Sequence, residues 1–272
     1  MTLQPIKVGA VIYDPKVVTI WQIIADFFEA EECPIDTVFY KDYELQVDGL
    51  LNGEIDIAWN SPLAWVDCVL RSGNACRGLA MRDTDQDRVT HIIVRKGAGI
   101  ETLPDLRGKT IAMGATDSPQ ATLIPIHFLQ KNSLSANSDY TVKNFNVGVG
   151  LHGDHVGGEL DALKDLMAGD SDAATVLDLN WERWCADGTA DGERLRVLGT
   201  TDRFDHCIFA CRNEFDADEE RRWLDVLFRM SYDNPDHREM MDMEGLKEWR
   251  PGRLTGFGPL TAAVAEQRFF EK

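Results

Sequence analysis

Two stretches of nine residues, LLNGEIDIA at 50–58 and LMAGDSDAA at 166–174, share the pattern L-[LM]-x-G-[DE]-x-D-x-A. The offset is constant at 116 residues from Gly53 to Gly169, and the same offset sets Trp181 over Trp65. Each stretch reads as the end of a helix, a glycine C-cap, an acidic turn and a strand that opens into a loop. Helix–glycine–strand units look alike in any α/β protein, so the pattern alone leaves two readings open. One is ordinary α/β punctuation; the other is a pair of similar lobes whose strand ends face each other across a cleft. Ligands of open α/β sheets bind outside the carboxyl ends of strands. The loops at 59–62 and 175–180 are therefore candidate cleft walls.

The rest of the chain fits an α/β class. KVGAVI (7–12) reads as a strand, followed by a helix with Asp14 at its N-cap and Pro15 at the first helical position. Val17, Ile20, Trp21, Ile24 and Phe28 then recur at helical spacing. TVFY, DYELQVDGLLNGE, IDIAWN and SPLAWVDCVLRSG continue as strand, helix, strand, helix, the order that crossover connections require. ACRGLAMR, VTHIIVRKG, KTIAMG, YTVKNFNV, DAATVL, RLRVLGTT and HCIFACR read as further strands, and the chain beyond residue 215 is mostly helical.

With 46 acidic and 28 basic residues the formal charge is −18, which argues against nucleic acid and anionic membranes as partners. An anionic ligand would have to be held by local donors against that field. No apolar run approaches the roughly 20 residues of a membrane span. The N-terminus lacks the basic and apolar regions of a secretory signal. A native start at Met1 implies a cytoplasmic protein, and removal of a signal peptide a periplasmic one. Cys33, Cys68, Cys76, Cys185, Cys207 and Cys211 form no zinc-type pairs and read as buried thiols of a reducing compartment. No metal or cofactor is expected.

GLHGDHVGGELDAL (150–163) packs two histidines, two aspartates and a glutamate among glycines ahead of a helix. Glycines let backbone N–H groups approach a ligand, and a helix start favours negative charge. A metal site would need His152, Asp154, His155 and Glu159 to converge, and their spacing is not a common metal signature. A ligand-binding loop is the leading reading, and a plain loop the bland one.

Several motifs in order resemble the phosphonate/phosphite-type substrate-binding proteins of ABC importers. GEIDIAWNSPLAWV is similar to that family's G-x-x-D-x-A-x-x-(G/S)-P-L-A-Y-V, and DLRGKTIAMGATDSPQATLIP to its D-L-K-G-K-x-x-A-F-G-D-P-x-S-T-S-G-Y-L-x-P. His155, ahead of DALKDLMAGDSDAA, stands where the family has a histidine. The resemblance spans roughly residues 5–215 and implies a type II periplasmic-binding-protein fold, two α/β lobes with the ligand between them. The hinge strands would be 91–97 and 206–212, lobe one 1–92 plus 208–272, and lobe two 93–207. The family's anion is held by hydroxyls at a helix start, by aromatic hydroxyls and by the histidine. Here Ser118, Pro119 and Gln120 replace a Ser-Thr-Ser run, which removes two hydroxyls and one N–H, and Trp59 stands near a position often held by tyrosine.

The resulting ligand-binding candidates are Tyr13, Trp59, Asn60 and Ser61 in lobe one, and Thr116, Asp117, Ser118, Gln120, His155 and Asp178 in lobe two. Trp59 would offer an apolar face to an organic ligand, and Asp178 would counter a cationic group. Ser61, Ser118 and Asp14 also have ordinary capping roles open to them. His206 and Cys207, read as neighbours in a strand, would point to opposite faces, so the DHC stretch reads as hinge structure rather than a nucleophile with its base. The leading function is binding of a small anionic organic molecule, a carboxylate, sulfonate or phosphonate, with an ABC permease as partner if the protein is exported. The alternative is a cytoplasmic enzyme on the same fold, with lyase-like or cofactor-biosynthesis chemistry at the His155 loop.

Overall fold

A computed structural model describes residues 4–153 and 158–271. The chain forms two compact units, Met1–Gln86 with Asp205–Thr255, and Asp87–Phe204 with Gly256–Lys272. Unit 1 holds β1 (Ile6–Val11), α1 (Lys16–Ala30), β2 (Ile35–Tyr40), α2 (Tyr43–Asn52), β3 (Ile57–Asn60), α3 (Pro62–Arg71) and β4 (Cys76–Arg82). Unit 2 follows with β5 (Thr90–Arg95), β6 (Thr110–Met113), α4 (Ile124–Lys131), β7 (Thr141–Asn144), α5 (Glu159–Ala168), β8 (Ala173–Leu177), α6 (Asp178–Asp187) and β9 (Leu195–Thr200). The chain then returns to unit 1 for β10 (Ile208–Arg212), α7 (Ala217–Leu227), α8 (Pro235–Glu244) and β11 (Trp249–Pro251), and ends in unit 2 with α9 (Gly258–Glu266).

Unit 1 is built on a six-stranded sheet of order β11-β4-β10-β3-β1-β2, and unit 2 on a five-stranded sheet of order β7-β6-β8-β5-β9. The two expected hinge strands are interior members of these sheets. β5 pairs antiparallel with both β8 and β9, and β10 antiparallel with both β3 and β4. The chain crosses between units ahead of each, at 86/87 and 204/205. It crosses a third time at 255/256, so the C-terminal segment expected in lobe one belongs to unit 2. There Gln267 Nε2 donates to the Leu123 carbonyl at 2.9 Å, and His127 meets Glu266 at 2.7 Å.

The apolar stripe of α1 is buried as its spacing requires: Val17, Ile20, Trp21, Ile24 and Phe28 all enter the unit 1 core. Asp14 lies one residue outside the N-cap, where its Oδ1 accepts from the Lys16 N–H at 2.8 Å, an end shift of the usual size. Phe209 on β10 forms the centre of an aromatic cluster, with Trp59 at 4.5 Å, Trp223 at 4.9 Å, Trp249 at 5.4 Å and Trp21 at 6.1 Å between ring centroids.

The repeat corresponds to one piece of architecture used twice. α2 and α5 both end in a left-handed glycine, Gly53 (φ 78°) and Gly169 (φ 93°). The strands that follow, β3 and β8, each lie between one parallel neighbour (β1, β6) and one antiparallel neighbour (β10, β5). The shared aspartates clamp equivalent places. Asp56 Oδ2 accepts from the Lys7 N–H, and Asp172 Oδ2 from the Thr110 N–H, each at 2.9 Å. Arginines on the antiparallel neighbours finish the match, Arg212 donating to the Leu50 and Ile55 carbonyls and Arg95 to those of Leu166 and Ser171. Each guanidinium thus ties a carbonyl in the last turn of the helix to one in the turn that follows.

Candidate functional site

In unit 2 the carboxyl ends of the parallel strands β6 and β8 lead into five of the ten expected site residues, Thr116, Asp117, Ser118, Gln120 and Asp178. After β6 the chain turns through Gly114–Asp117 into one wide helical turn, Pro119–Leu123, that runs into α4. Ser118 caps this turn, its Oγ accepting from the Ala121 N–H at 3.2 Å. Pro119 occupies the first helical position, where a missing N–H costs no internal bond. A wide turn displaces its carbonyls from their usual partners, and buried threonines take them up. Thr90 Oγ1 donates to the Gln120 carbonyl at 2.7 Å, and Thr175 Oγ1 to that of Ala121 at 2.6 Å.

Two buried carboxylates hold the surrounding loops. Asp117 Oδ2 accepts from the Gly150 N–H at 2.7 Å, fixing the glycine-rich stretch to the β6–α4 loop. Glu159, the first residue of α5 and 4% exposed, accepts from the Leu177 N–H at 2.8 Å and Asn180 Nδ2 at 3.0 Å through one oxygen. Its other oxygen receives Gln120 Nε2 at 3.4 Å, and Gln120 also reaches the Gly153 carbonyl at 3.4 Å. The helix start at Glu159 depends on Gly158, whose φ is +70° and whose Cβ position lies 2.1 Å from the Phe145 carbonyl oxygen. A residue with a side chain has no room there.

The sequence-derived residues thus fall into different roles. Thr116 is exposed, with its N–H bonded to Asn146 Oδ1 at 3.0 Å, whereas Asp117, Ser118 and Gln120 are buried and used within the loop network. Asp178 begins α6 and lies 3.5 Å from Arg88. Burial raises its carboxyl above the usual range, with the Arg88 charge and the Leu179 N–H holding it back. Glu159, which the sequence offers only as a metal ligand, accepts from Gln120, Leu177 and Asn180 and acts as a scaffold residue. His152 is buried with a positive φ of 53°. His155 and Asp154 lie outside the described residues.

In unit 1 the structure corrects the reading of Trp59. Its ring is 6% exposed and is covered by Phe209, by Trp249 at 5.7 Å and by the Arg82 guanidinium at 5.2 Å, so its face is already occupied. Strand-end position suggested a loop; the extra cover comes from β10 and β11, far away in sequence. Asn60 is fully buried, accepting from Gln46 Nε2 at 2.9 Å and donating to Cys68 Sγ at 3.6 Å. Ser61 caps α3 by accepting from the Ala64 N–H at 3.1 Å. Tyr13 is half-buried after β1 with Lys16 Nζ 6.0 Å from its ring.

A buried ionic cluster in unit 1 went unseen in the sequence. Arg82 (3% exposed) makes paired bonds to Asp85 at 2.7 and 2.8 Å and one to Glu244 at 2.9 Å. Burial alone would raise the Asp85 carboxyl, but the Arg82 charge and hydrogen bonds, with His206, hold it far below the usual range. His206 and Cys207 do meet, Nδ1 to Sγ at 3.1 Å, with Asp85 Oδ1 3.5 Å from the same nitrogen. They precede β10 rather than lie within it, so strand alternation does not separate them. Ligand atoms of Asp85, His206 and Cys207 lie within 4.8 Å of one another, but a cation there would face the Arg82 guanidinium.

Comparison with known proteins decides the family. The model of the phosphonate periplasmic substrate-binding proteins of ABC transporters matches residues 11–257. The chain belongs to this family. Among solved structures, PhnD1 from Prochlorococcus marinus in complex with methylphosphonate is 15% identical with a TM-score of 0.70, covering 97% of this chain and 98% of that one. XAC2383 from Xanthomonas citri bound to ATP is 16% identical with a TM-score of 0.77, covering 99% and 100%. The periplasmic aliphatic sulphonate binding protein SsuA from Escherichia coli is 14% identical with a TM-score of 0.61, covering 99% and 89%. An uncharacterized Haemophilus influenzae protein is 30% identical over 117 residues, 43% of this chain and 84% of that protein. The two-lobed periplasmic-binding-protein class read from the motifs is the fold of these neighbours. No helix among the described residues is long and apolar enough to cross a membrane.

Proposed function

We propose that this family member binds a small organic anion of the carboxylate, sulfonate or phosphonate class, without chemistry of its own. The observation that carries the reading is the convergence of the Thr116–Gln120 loop, the glycine-rich loop and the start of α6 at the carboxyl ends of β6 and β8. Thr116 and His155 are assigned to the polar end of the ligand, His155 from its sequence position alone. Methylphosphonate and aliphatic sulfonates, named with two of the structural neighbours, support the ligand class. An ABC permease is the partner implied for an exported form, as the periplasmic family suggests.

With Trp59 in the core, stacking on indole drops out of the argument, and the preference for an organic anion over bare phosphate rests on the lost hydroxyls at Pro119 and Gln120. Calorimetry with methylphosphonate, short alkanesulfonates, carboxylates and inorganic phosphate tests it. An organic anion should bind most tightly, and His155→Ala should weaken it by about 1.5–3 kcal/mol, the scale of a hydrogen bond to a charged group. Affinity should also fall as pH rises and an imidazolium donor gives up its proton. Tightest binding by phosphate, or unchanged affinity in His155→Ala, would refute the assignment.

A further inference from the structure

Asp85 meets His206 and Cys207 inside unit 1, and all three are buried. Backbone bonds bring the two segments together: the His206 N–H donates to the Asp85 carbonyl at 2.8 Å, and the Cys207 N–H to Asp85 Oδ1 at 3.2 Å. His206 Nδ1 stands 3.1 Å from Cys207 Sγ and 3.5 Å from Asp85 Oδ1, and the three donor atoms all lie within 4.8 Å of one another. Around a tetrahedral ion with bonds of about 2.3 Å to sulfur and about 2.0–2.1 Å to nitrogen and oxygen, donor atoms are about 3.4–3.6 Å apart. Both separations from Nδ1 are within about 0.5 Å of that spacing, and the Sγ to Oδ1 separation exceeds it by about 1.2 Å at most. A small rotation of the Cys207 side chain closes the set.

We propose that Asp85, His206 and Cys207 form a binding site for one divalent ion of the zinc class. A thiolate, an imidazole and a carboxylate are donors that zinc takes, and three protein ligands leave its fourth position to a water. The ion binds as the Cys207 thiol releases its proton to solvent, so a sulfur–metal bond replaces a sulfur–hydrogen bond. Charge decides whether the neighbouring Arg82 forbids this. Arg82 bonds to two carboxylates, Asp85 and Glu244, so with His206 and Cys207 neutral the cluster carries one net negative charge. The Asp205–Arg253 pair, joined at 2.6 and 2.7 Å, adds nothing to that sum. A Cys207 thiolate makes the surplus two negative charges, and a divalent ion cancels it. Buried charges persist where they are compensated, and the carboxylates around Arg82 outnumber it. Asp85 Oδ1 keeps its 2.8 Å bond from Arg82, and the ion takes the place of the longer bond from the Cys207 N–H. The chain leaves unit 1 at 86/87 and re-enters it at 204/205, so an ion here ties the point of exit to the point of return.

Untagged protein, kept reduced with a phosphine and freed of metal by chelator, is titrated with cobalt(II), a spectroscopic stand-in for zinc. One equivalent should bind with a thiolate-to-cobalt charge-transfer band in the near ultraviolet, and zinc should displace it. Cys207→Ser should abolish the band. His206→Gln should weaken binding at least about tenfold, since even groups that only support a metal ligand are worth that much. Cys185→Ser, which removes the exposed thiol, should leave the band as it is. Zinc should also raise the urea midpoint of the wild-type unit 1 transition, and chelator should reverse the rise. That readout and the wild-type spectrum stand whether or not the variants fold. Absence of the band in the wild type, its persistence in Cys207→Ser, its loss in Cys185→Ser, or a midpoint that zinc leaves unmoved would overturn the proposal.

Discussion

Replacing Glu159 separates a scaffold role from a ligand role. Its carboxylate is almost fully buried and receives the Leu177 N–H, Asn180 Nδ2 and Gln120 Nε2, at 2.8, 3.0 and 3.4 Å. Glu159→Ala strands the Leu177 N–H, which has nowhere to turn, and loosens two side-chain amides. A buried donor left unsatisfied costs about 1–3 kcal/mol, and a carboxylate at a helix start contributes about 0.3–1 kcal/mol more. The weaker Gln120 contact adds little at its distance. The expected loss is about 3 kcal/mol. Glu159→Gln keeps one oxygen for Leu177 but turns an NH₂ toward another donor, so about half that loss is expected. Urea unfolding followed by far-ultraviolet circular dichroism measures both, with each unit free to give its own transition. If Glu159 instead belonged to the ligand, calorimetry would show weakened binding while the unfolding midpoint stayed put. That result, or equal stability of wild type and Glu159→Ala, would refute the reasoning.

Arg82→Met should destabilise unit 1 by about 3–5 kcal/mol, because Asp85 and Glu244 lose the charge that compensates their burial. Asp85 is depressed in the folded state, so its contribution is complete above the ordinary carboxylate range and is lost as pH falls through that range toward the folded value. Wild-type stability should therefore decline on acidification below about pH 5, and denaturant midpoints measured between pH 3 and 7 should show a shallower decline in Arg82→Met. Gly158→Ala should cost at least about 3 kcal/mol, combining a positive φ with a Cβ driven into the Phe145 carbonyl, and a thermal melt unchanged from wild type would contradict it.

Local pattern carried much of this structure. The α1 stripe, the glycine caps and the repeated aspartates were legible because helix periodicity and left-handed caps are written into neighbouring residues. The 116–120 loop was legible as a helix start for the same reason, with Ser118 and Pro119 in their usual places. What stayed hidden depends on partners far along the chain. β5 and β10 read correctly as strands, but nothing in HIIVRKG or HCIFACR tells that each is flanked on both sides inside a sheet. Trp59 looked available until Phe209, Trp249 and Arg82 were placed around it. Asp85 and His206 carry no signal of their meeting, since a buried ion cluster has no sequence spacing.

The place of β10 also has a bearing on biosynthesis. β3 and β4 pair with β10 and not with each other, so a nascent chain that has just released β4 holds it without a strand neighbour. β11, its other partner, comes later still. β5 to β9, in contrast, find every one of their sheet partners within residues 87–204. On the ribosome the second sheet to be translated is consequently the first that can be completed, and residues 76–82 wait as an open edge throughout. That waiting strand, with the open edge of β3, is a segment of the nascent chain that a chaperone would shield.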